Sequence, residues 1–460
     1  MFFLYSLTLS IGFLFLLPRF VFDALRKGKY AAGFWQRLGY LPEFRQSEKP
    51  VVWLHCVSVG EANAALPLAE KILETFPEYR LVVSTTTKTG QKIARQIYVN
   101  RAEMIFYMPF DWRFSVRRAL AQIKPNIVLL TETELWFNFV REASKSGARV
   151  AIVNGRISEK SFDRYRLIPK TMRRVLHYLD LALVQTDKDA RRFVELNIRA
   201  SKVKVTGNIK FDQKFADAKN DLTDYLRDRF FIAKDAPLII AASTHASEER
   251  FVLDAFKRIY NASNENSPRL LIAPRHPERF SQIEKLIKET GFDWAKRSEE
   301  ASNRDERAEI ILLDSIGELR AAYPLAEIVF VGGSLVPHGG QSILEPAIAG
   351  RAAIVTGFYT MNFEAAVKEF LRQNALLQLP QLGDAEIAEK LAEAFLRLLR
   401  DAKMREKLAE NALAVMRNNR GATDRTVEQL KPFLQNRALR NFAQNNLPKT
   451  SFSSDATDNL

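Results

Sequence analysis

The sequence predicts two consecutive doubly wound α/β domains behind an apolar N-terminal helix. From Pro50 onward, short Val/Ile/Leu-rich runs alternate with amphipathic stretches of helical period. Runs without polar alternation point to parallel strands covered on both faces. The series breaks across the charged, weakly patterned stretch 212–235 and then resumes, which assigns one sheet to each half. A chain of 460 residues has room for two or three domains at about 100–200 residues each.

The elements follow in chain order. Residues 1–17 read MFFLYSLTLSIGFLFLL without a charge, followed by Arg19, Arg26, Lys27, Lys29 and Arg37 against Asp23 alone. Seventeen helical residues at about 1.5 Å each reach about 26 Å, a little short of a hydrocarbon core of about 30 Å. The positive charge follows the apolar run instead of preceding it, which argues against a cleaved signal peptide. The expectation is an uncleaved membrane anchor over residues 1–22, with a helix lying in the interface as the alternative. The basic flank keeps everything downstream on the cytoplasmic side of the membrane. A first domain is expected over 30–215, with strands at 51–57, 81–86, 104–108, 126–131, 149–154, 181–185 and 202–206. A second domain over 230–435 has strands at 237–242, 269–273, 310–313, 328–331 and 352–355, closed by helices at 386–400 and 404–417. The polar, Ser/Asn-rich end, 436–460, reads as a disordered tail.

Composition bounds the function. With 47% hydrophobic residues the chain is neither disordered nor a multi-span membrane protein. Cys56 is the only cysteine, which excludes a disulfide framework, a Cys-rich zinc site and an iron–sulfur cluster within one chain. Lys+Arg number 68 against 54 Asp+Glu, a net charge of +14 that calls for an anionic partner. No nucleic-acid motif is present, and the clearest basic cluster follows the apolar run, so anionic membrane lipid is the expected partner and nucleic acid is not.

Ligands of open parallel sheets bind beyond the carboxyl ends of the strands, so residues there are the candidates. Gly60 permits a tight turn after the first strand and sets Glu61 at a helix start, either as a charge completing the helix N-terminus or as a general base. Glu132 and Glu134, at i and i+2 after another strand, share a face if the strand continues and then raise one another's pKa. Lys210 either neutralises a phosphate or sits in solvent. In the second half, Pro274 and Arg275 end a strand with a guanidinium able to fork onto phosphate oxygens. Ile316, Gly317 and Glu318 follow another strand in a Gly turn. The segment 331–346, VGGSLVPHGGQSILEP, holds four glycines whose flexibility lets backbone amides approach an anion. There Ser342 is positioned to cap the following helix, with Ile343, Leu344 and Glu345 in its first turn and Glu345 facing ribose hydroxyls. His245, after the first strand of this half, is a candidate cleft residue, and His177 reads as an ordinary helix residue. No His/Asp/Glu spacing suggests a metal.

Together HCVSVGEANAA, TETELWFN, TGNIKFD, APRHPERF, SIGELRAAY and GGSLVPHGGQSILEPA resemble the motif series of the 3-deoxy-D-manno-octulosonic acid (Kdo) transferases of lipid A assembly. The resemblance implies a GT-B glycosyltransferase, with two Rossmann-like domains facing a cleft. It also implies cytidine monophosphate Kdo (CMP-Kdo) as donor, a lipid A precursor embedded in the inner membrane as acceptor, and inversion at the anomeric carbon; no cofactor is expected. By position, Glu61 matches the catalytic base, and Glu132 and Lys210 match residues that stabilise the transition state. Pro274, Arg275, Ile316, Gly317, Glu318, Ser342, Ile343, Leu344 and Glu345 match the CMP contacts. One departure stands out, since many members carry His-Asn where this chain has Gln341-Ser342. A uridine-dependent transferase or epimerase, and a nucleotide-binding scaffold at the membrane surface, are the alternative readings.

Overall fold

The computed structural model of the chain describes residues 2–27, 33–212, 221–232, 237–262 and 267–445. They form two compact units, Met1–Gln213 with Arg420–Leu460, and Lys214–Asn419. The first unit carries β1 (Val51–Cys56), β2 (Arg80–Thr85), β3 (Met104–Tyr107), β4 (Ile127–Thr131), β5 (Arg149–Gly155), β6 (Leu181–Val184) and β7 (Val203–Val205). They pair in the order β3-β2-β1-β4-β5-β6-β7, and every pairing is parallel. Every residue of β1, β2 and β4 is buried, as continuous apolar runs require. Trp53 anchors one face of this sheet, edge-on to Phe106 and Phe139, with its indole N–H donating to Ser84 Oγ at 2.8 Å.

The second unit repeats the plan with β8 (Leu238–Thr244), β9 (Arg269–Pro274), β10 (Trp294–Lys296), β11 (Ile310–Leu312), β12 (Ile328–Val331), β13 (Ala353–Thr356) and β14 (Leu377–Gln378). Their order is β10-β11-β9-β8-β12-β13-β14. The short edge strands β10 and β14 have no counterpart in the sequence reading, because three and two residues are too few to show a periodicity. Helix Asp221–Arg229 forms inside the stretch read as linker. Its Arg229 is buried, pairs with Asp305 at 3.1 Å and donates to the carbonyls of Lys296, Arg297 and Glu299.

The two ends of the chain depart from expectation. The N-terminal helix, Phe2–Lys27, packs its inner face on the first unit. Tyr5 donates to Asp111 at 2.8 Å, Asn138 donates to Ser6 at 3.0 Å, and Phe13 meets the rings of Phe110 and Trp112. Leu4, Leu7, Ile11, Leu14 and Phe15 face outward, with Phe15 84% exposed. Among the described residues no helix is long and apolar enough to cross a membrane, where the sequence led to an anchor over 1–22. One face of the apolar run is committed to protein contacts.

At the other end, helices Asp384–Arg400 and Ala402–Asn418 stay with the second unit, whereas Ala422–Asn445 returns to the first. Asp212 accepts the Gly421 and Thr423 amides at 2.7 and 2.5 Å, Arg425 donates to the Thr206 carbonyl, and the Tyr79 hydroxyl donates to the Leu434 carbonyl. A second domain running unbroken to residue 435 is therefore replaced by one ending at Asn419. Residues 436–445, read as the start of a disordered tail, continue this helix, and 446–460 lie outside the described residues. Replacing Asp212 with Ala removes both charge-assisted bonds at the helix start, and should destabilise the first unit by about 2 kcal/mol. A lowered guanidinium midpoint, partly restored in Asp212→Asn, is the expected result.

Candidate active site

In the first unit strand order reverses between β1 and β4, and the segments leaving these two strands carry the expected carboxylates. Ser58, extended at φ −119° and ψ 169°, caps helix Val59–Thr75 by accepting the Glu61 N–H. The Ser58 hydroxyl and the Val57 N–H each donate to Glu61 at 2.9 Å, and the Thr131 hydroxyl donates at 2.6 Å. Glu61 thus completes the helix N-terminus and is also held, 9% exposed, at the strand ends. Burial foremost, and then the charge of Glu132, push its pKa up against the opposing effect of these hydrogen bonds.

β4 ends at Thr131, and Glu132 turns into the left-handed region at φ 54°. The shared strand face expected for Glu132 and Glu134 is therefore not formed. A non-glycine residue there costs about 1–3 kcal/mol and persists only where its surroundings hold it. Here Lys210 and Arg156 do so, at 2.8 and 2.7 Å from the carboxylate. Burial alone would raise the Glu132 pKa, but the two cations outweigh it and hold the group below the ordinary glutamate value. Glu134 moves the other way, to about 7, through burial and the charges of Glu61 and Glu132. Lys210 is drawn into this cluster instead of lying in solvent. Arg156 escaped the sequence reading, although its place immediately after β5 met the same strand-end criterion.

The second unit brings the remaining candidates to the carboxyl ends of its sheet. Arg275 follows β9 with an exposed side chain, its backbone N–H bonded to the Thr244 carbonyl at 3.0 Å. Gly317 turns at φ 92°, leaving Ile316 81% exposed, and Glu318 is gripped by Arg297 at 2.8 Å and by the Ser315 hydroxyl. Glu345 pairs with Arg320 at 3.1 Å. Ser342 does not cap the next helix, because Leu344–Ala349 starts one residue later, from Ile343 and without a side-chain cap. The Gly-rich segment also differs from expectation. Its Gly333, Ser334 and Leu335 amides already donate to Glu248, a fully buried carboxylate that accepts the His245 N–H as well. Glu248 went unread because its partners in the Gly-rich segment lie at sequence separations of 85 to 87.

Residues 32–213 match the family described as 3-Deoxy-D-manno-octulosonic-acid transferase (kdotransferase). A 3-deoxy-D-manno-octulosonic acid transferase of Haemophilus influenzae is 31% identical over 413 residues, covering 90% of this chain and 94% of its own length. The chain belongs to the Kdo transferase family. A transferase of the same name from Bordetella pertussis is also 31% identical, over 83% of this chain and 87% of its own. Among solved structures, a glycosyltransferase from Rickettsia africae superposes with a TM-score of 0.55 at 13% identity, covering 85% of this chain and all of that one. The UDP-GlcNAc 2-epimerase of Neisseria meningitidis gives 0.55 at 15%, over 83% and 99%. At such identities these likenesses concern the fold alone, which is that of the GT-B glycosyltransferases.

As a Kdo transferase the protein carries a buried charge cluster whose loss has a defined pH signature. The depressed Glu132 pKa contributes stability above the unfolded glutamate value of about 4.3, and that contribution is lost as pH falls through the folded value. Lys210→Met leaves the carboxylate undercompensated, so destabilisation of about 3 kcal/mol is expected near pH 7.5. The difference in Tm from wild type should shrink as pH approaches about 4.3, where protonation relieves the buried charge.

Proposed function

We propose that this Kdo transferase moves Kdo from CMP-Kdo to a lipid A precursor, lipid IVA, with inversion at the anomeric carbon. The observation that carries the reading is Glu61, a single buried carboxylate tuned toward neutrality beside a carboxylate kept ionised. In a one-step displacement Glu61 takes the acceptor hydroxyl proton as that oxygen bonds to the anomeric carbon. The bond to the phosphate oxygen breaks, and CMP departs as an anion without needing a general acid. Glu132, Lys210 and Arg156 together carry one net positive charge. Beside the reacting groups that charge offsets the negative charge building on the phosphate. The scheme assigns no metal ion.

On the donor side, Arg275 with Pro274 is assigned to the phosphate, and the turns Ile316, Gly317, Glu318 and Ser342, Ile343, Leu344, Glu345 to the cytidine moiety. Support for a site at the inner membrane, on its cytoplasmic side, comes from the outward apolar face of helix Phe2–Lys27. Beside its Phe2 end, Lys170, Arg173 and Arg174 line a groove of about 480 Å³ suited to anionic lipid.

The test is transfer from freshly made CMP-Kdo to tetraacylated lipid A precursor in detergent, read as product mass. Wild type should add Kdo. Glu61→Gln should lower kcat by about 10²–10⁴-fold while leaving CMP affinity within about twofold, whereas Arg275→Ala should weaken CMP by about tenfold. Thermal stabilisation by UDP and not by CMP would refute the donor assignment.

A further inference from the structure

In the second unit three of the chain's five histidines converge at neighbouring strand ends. His245 follows β8, His276 follows β9, and His338 lies in the Gly-rich segment after β12. The His245 ring stacks on His338 at 4.4 Å between centroids and meets His276 edge-on at 5.2 Å. Gly333 leaves room for this packing, since a Cβ there would lie 3.2 Å from the His245 ring. Gln341, the departure from the family's usual histidine, sets its amide nitrogen 3.0 Å from His245 Nε2. His245 is buried, while His276 and His338 are exposed above it.

The surrounding charges are unbalanced. Burial first, then His338, His276, Arg275 and Arg279, push the His245 pKa down to about 4. The neighbouring carboxylates are engaged elsewhere. Glu248 accepts four backbone N–H groups, and Glu249 is held by both terminal nitrogens of Arg279 and by the Thr244 hydroxyl. Glu278, 75% exposed, stands 3.7 Å from His276 Nδ1. Among the described residues Arg275 has no ion-pair partner. With Arg279 paired to Glu249, the three imidazoles and Arg275 gather at these strand ends with few acids to face them, which suits a bound anion.

We propose that His245, His276 and His338 form the subsite for the carboxylate of a sugar-acid donor, distinct from the contacts that hold the nucleotide. The proposal rests on the CMP-Kdo reading above, in which the donor bears a carboxylate on its anomeric carbon in addition to the phosphodiester. Two anions need two sets of donors, and Arg275 serves the phosphate. Imidazole N–H groups meet the carboxylate, whose negative charge opposes the cationic field that acts on His245. Donor binding therefore raises the proton affinity of His245 from its depressed value, and the donor KM falls as pH is lowered.

The experiment compares KM for CMP-Kdo with the inhibition constant of CMP in wild type, His245→Asn and the exposed-site variant His338→Ala. CMP binding also reports that each variant is folded. Expected is a KM increase of about tenfold in both variants with the CMP constant within about twofold of wild type, and a flattened dependence of KM on pH in His245→Asn. Equal weakening of CMP and CMP-Kdo, or an unchanged KM in His338→Ala, would overturn the subsite. A wild type that binds CMP and transfers from a uridine-linked sugar, but not from CMP-Kdo, would overturn the underlying donor reading and the subsite with it.

Discussion

Reversal of strand order inside an all-parallel sheet is the constraint on which both units depend. Where β1 lies beside β4, the connecting chains depart in opposite directions along the sheet, and the carboxyl ends open a crevice there. Glu61 and Glu132 leave the sheet at that point, from strands that are otherwise wholly buried. The same reversal between β8 and β12 places His245 and the Gly-rich segment together. Reactive groups reach a buried edge in this way without interrupting any ladder of strand hydrogen bonds.

A buried carboxylate is tolerated only with compensation, and the structure supplies it in two ways. Glu132 is compensated by charge, through Lys210 and Arg156. Glu248 is compensated by four backbone amides and makes the Gly-rich segment part of the core of the second unit. Glu61 belongs to neither group. Its three donors fix the position of the carboxylate without supplying a cation, so burial and the charge of Glu132 remain free to raise its proton affinity. That difference separates a group suited to exchange a proton from groups suited to hold a charge.

The ends of the chain show how the same residue types serve different ends according to their partners. The apolar N-terminal run would read as a span if it were alone, yet Tyr5, Ser6 and Phe13 dock one face on the first unit and leave the other face to interact. The last helix buries Val427, Leu430 and Leu434 with the first unit, after the chain has passed through the whole of the second. Asp212 secures that return across a sequence separation of about two hundred residues, 209 to Gly421.

By itself the sequence determined what local periodicity and strand-end chemistry encode. The twelve strands it predicted all form; Glu132 and Arg275 follow strands directly, and Glu61, Lys210 and Gly317 lie a few residues beyond one. The family was legible because its motifs are contiguous stretches of sequence. Tertiary structure alone decided which charges meet. The Glu132 grip by Lys210 spans 78 positions and that of Glu248 on the Gly-rich segment spans 85 to 87. It also decided the direction of each carboxyl pKa, the return of the last helix to the first unit, and the convergence of three histidines from separate strands. Periodicity reports which face of an element is apolar. Only the packed chain determines what that face, or a charge at its edge, is set against.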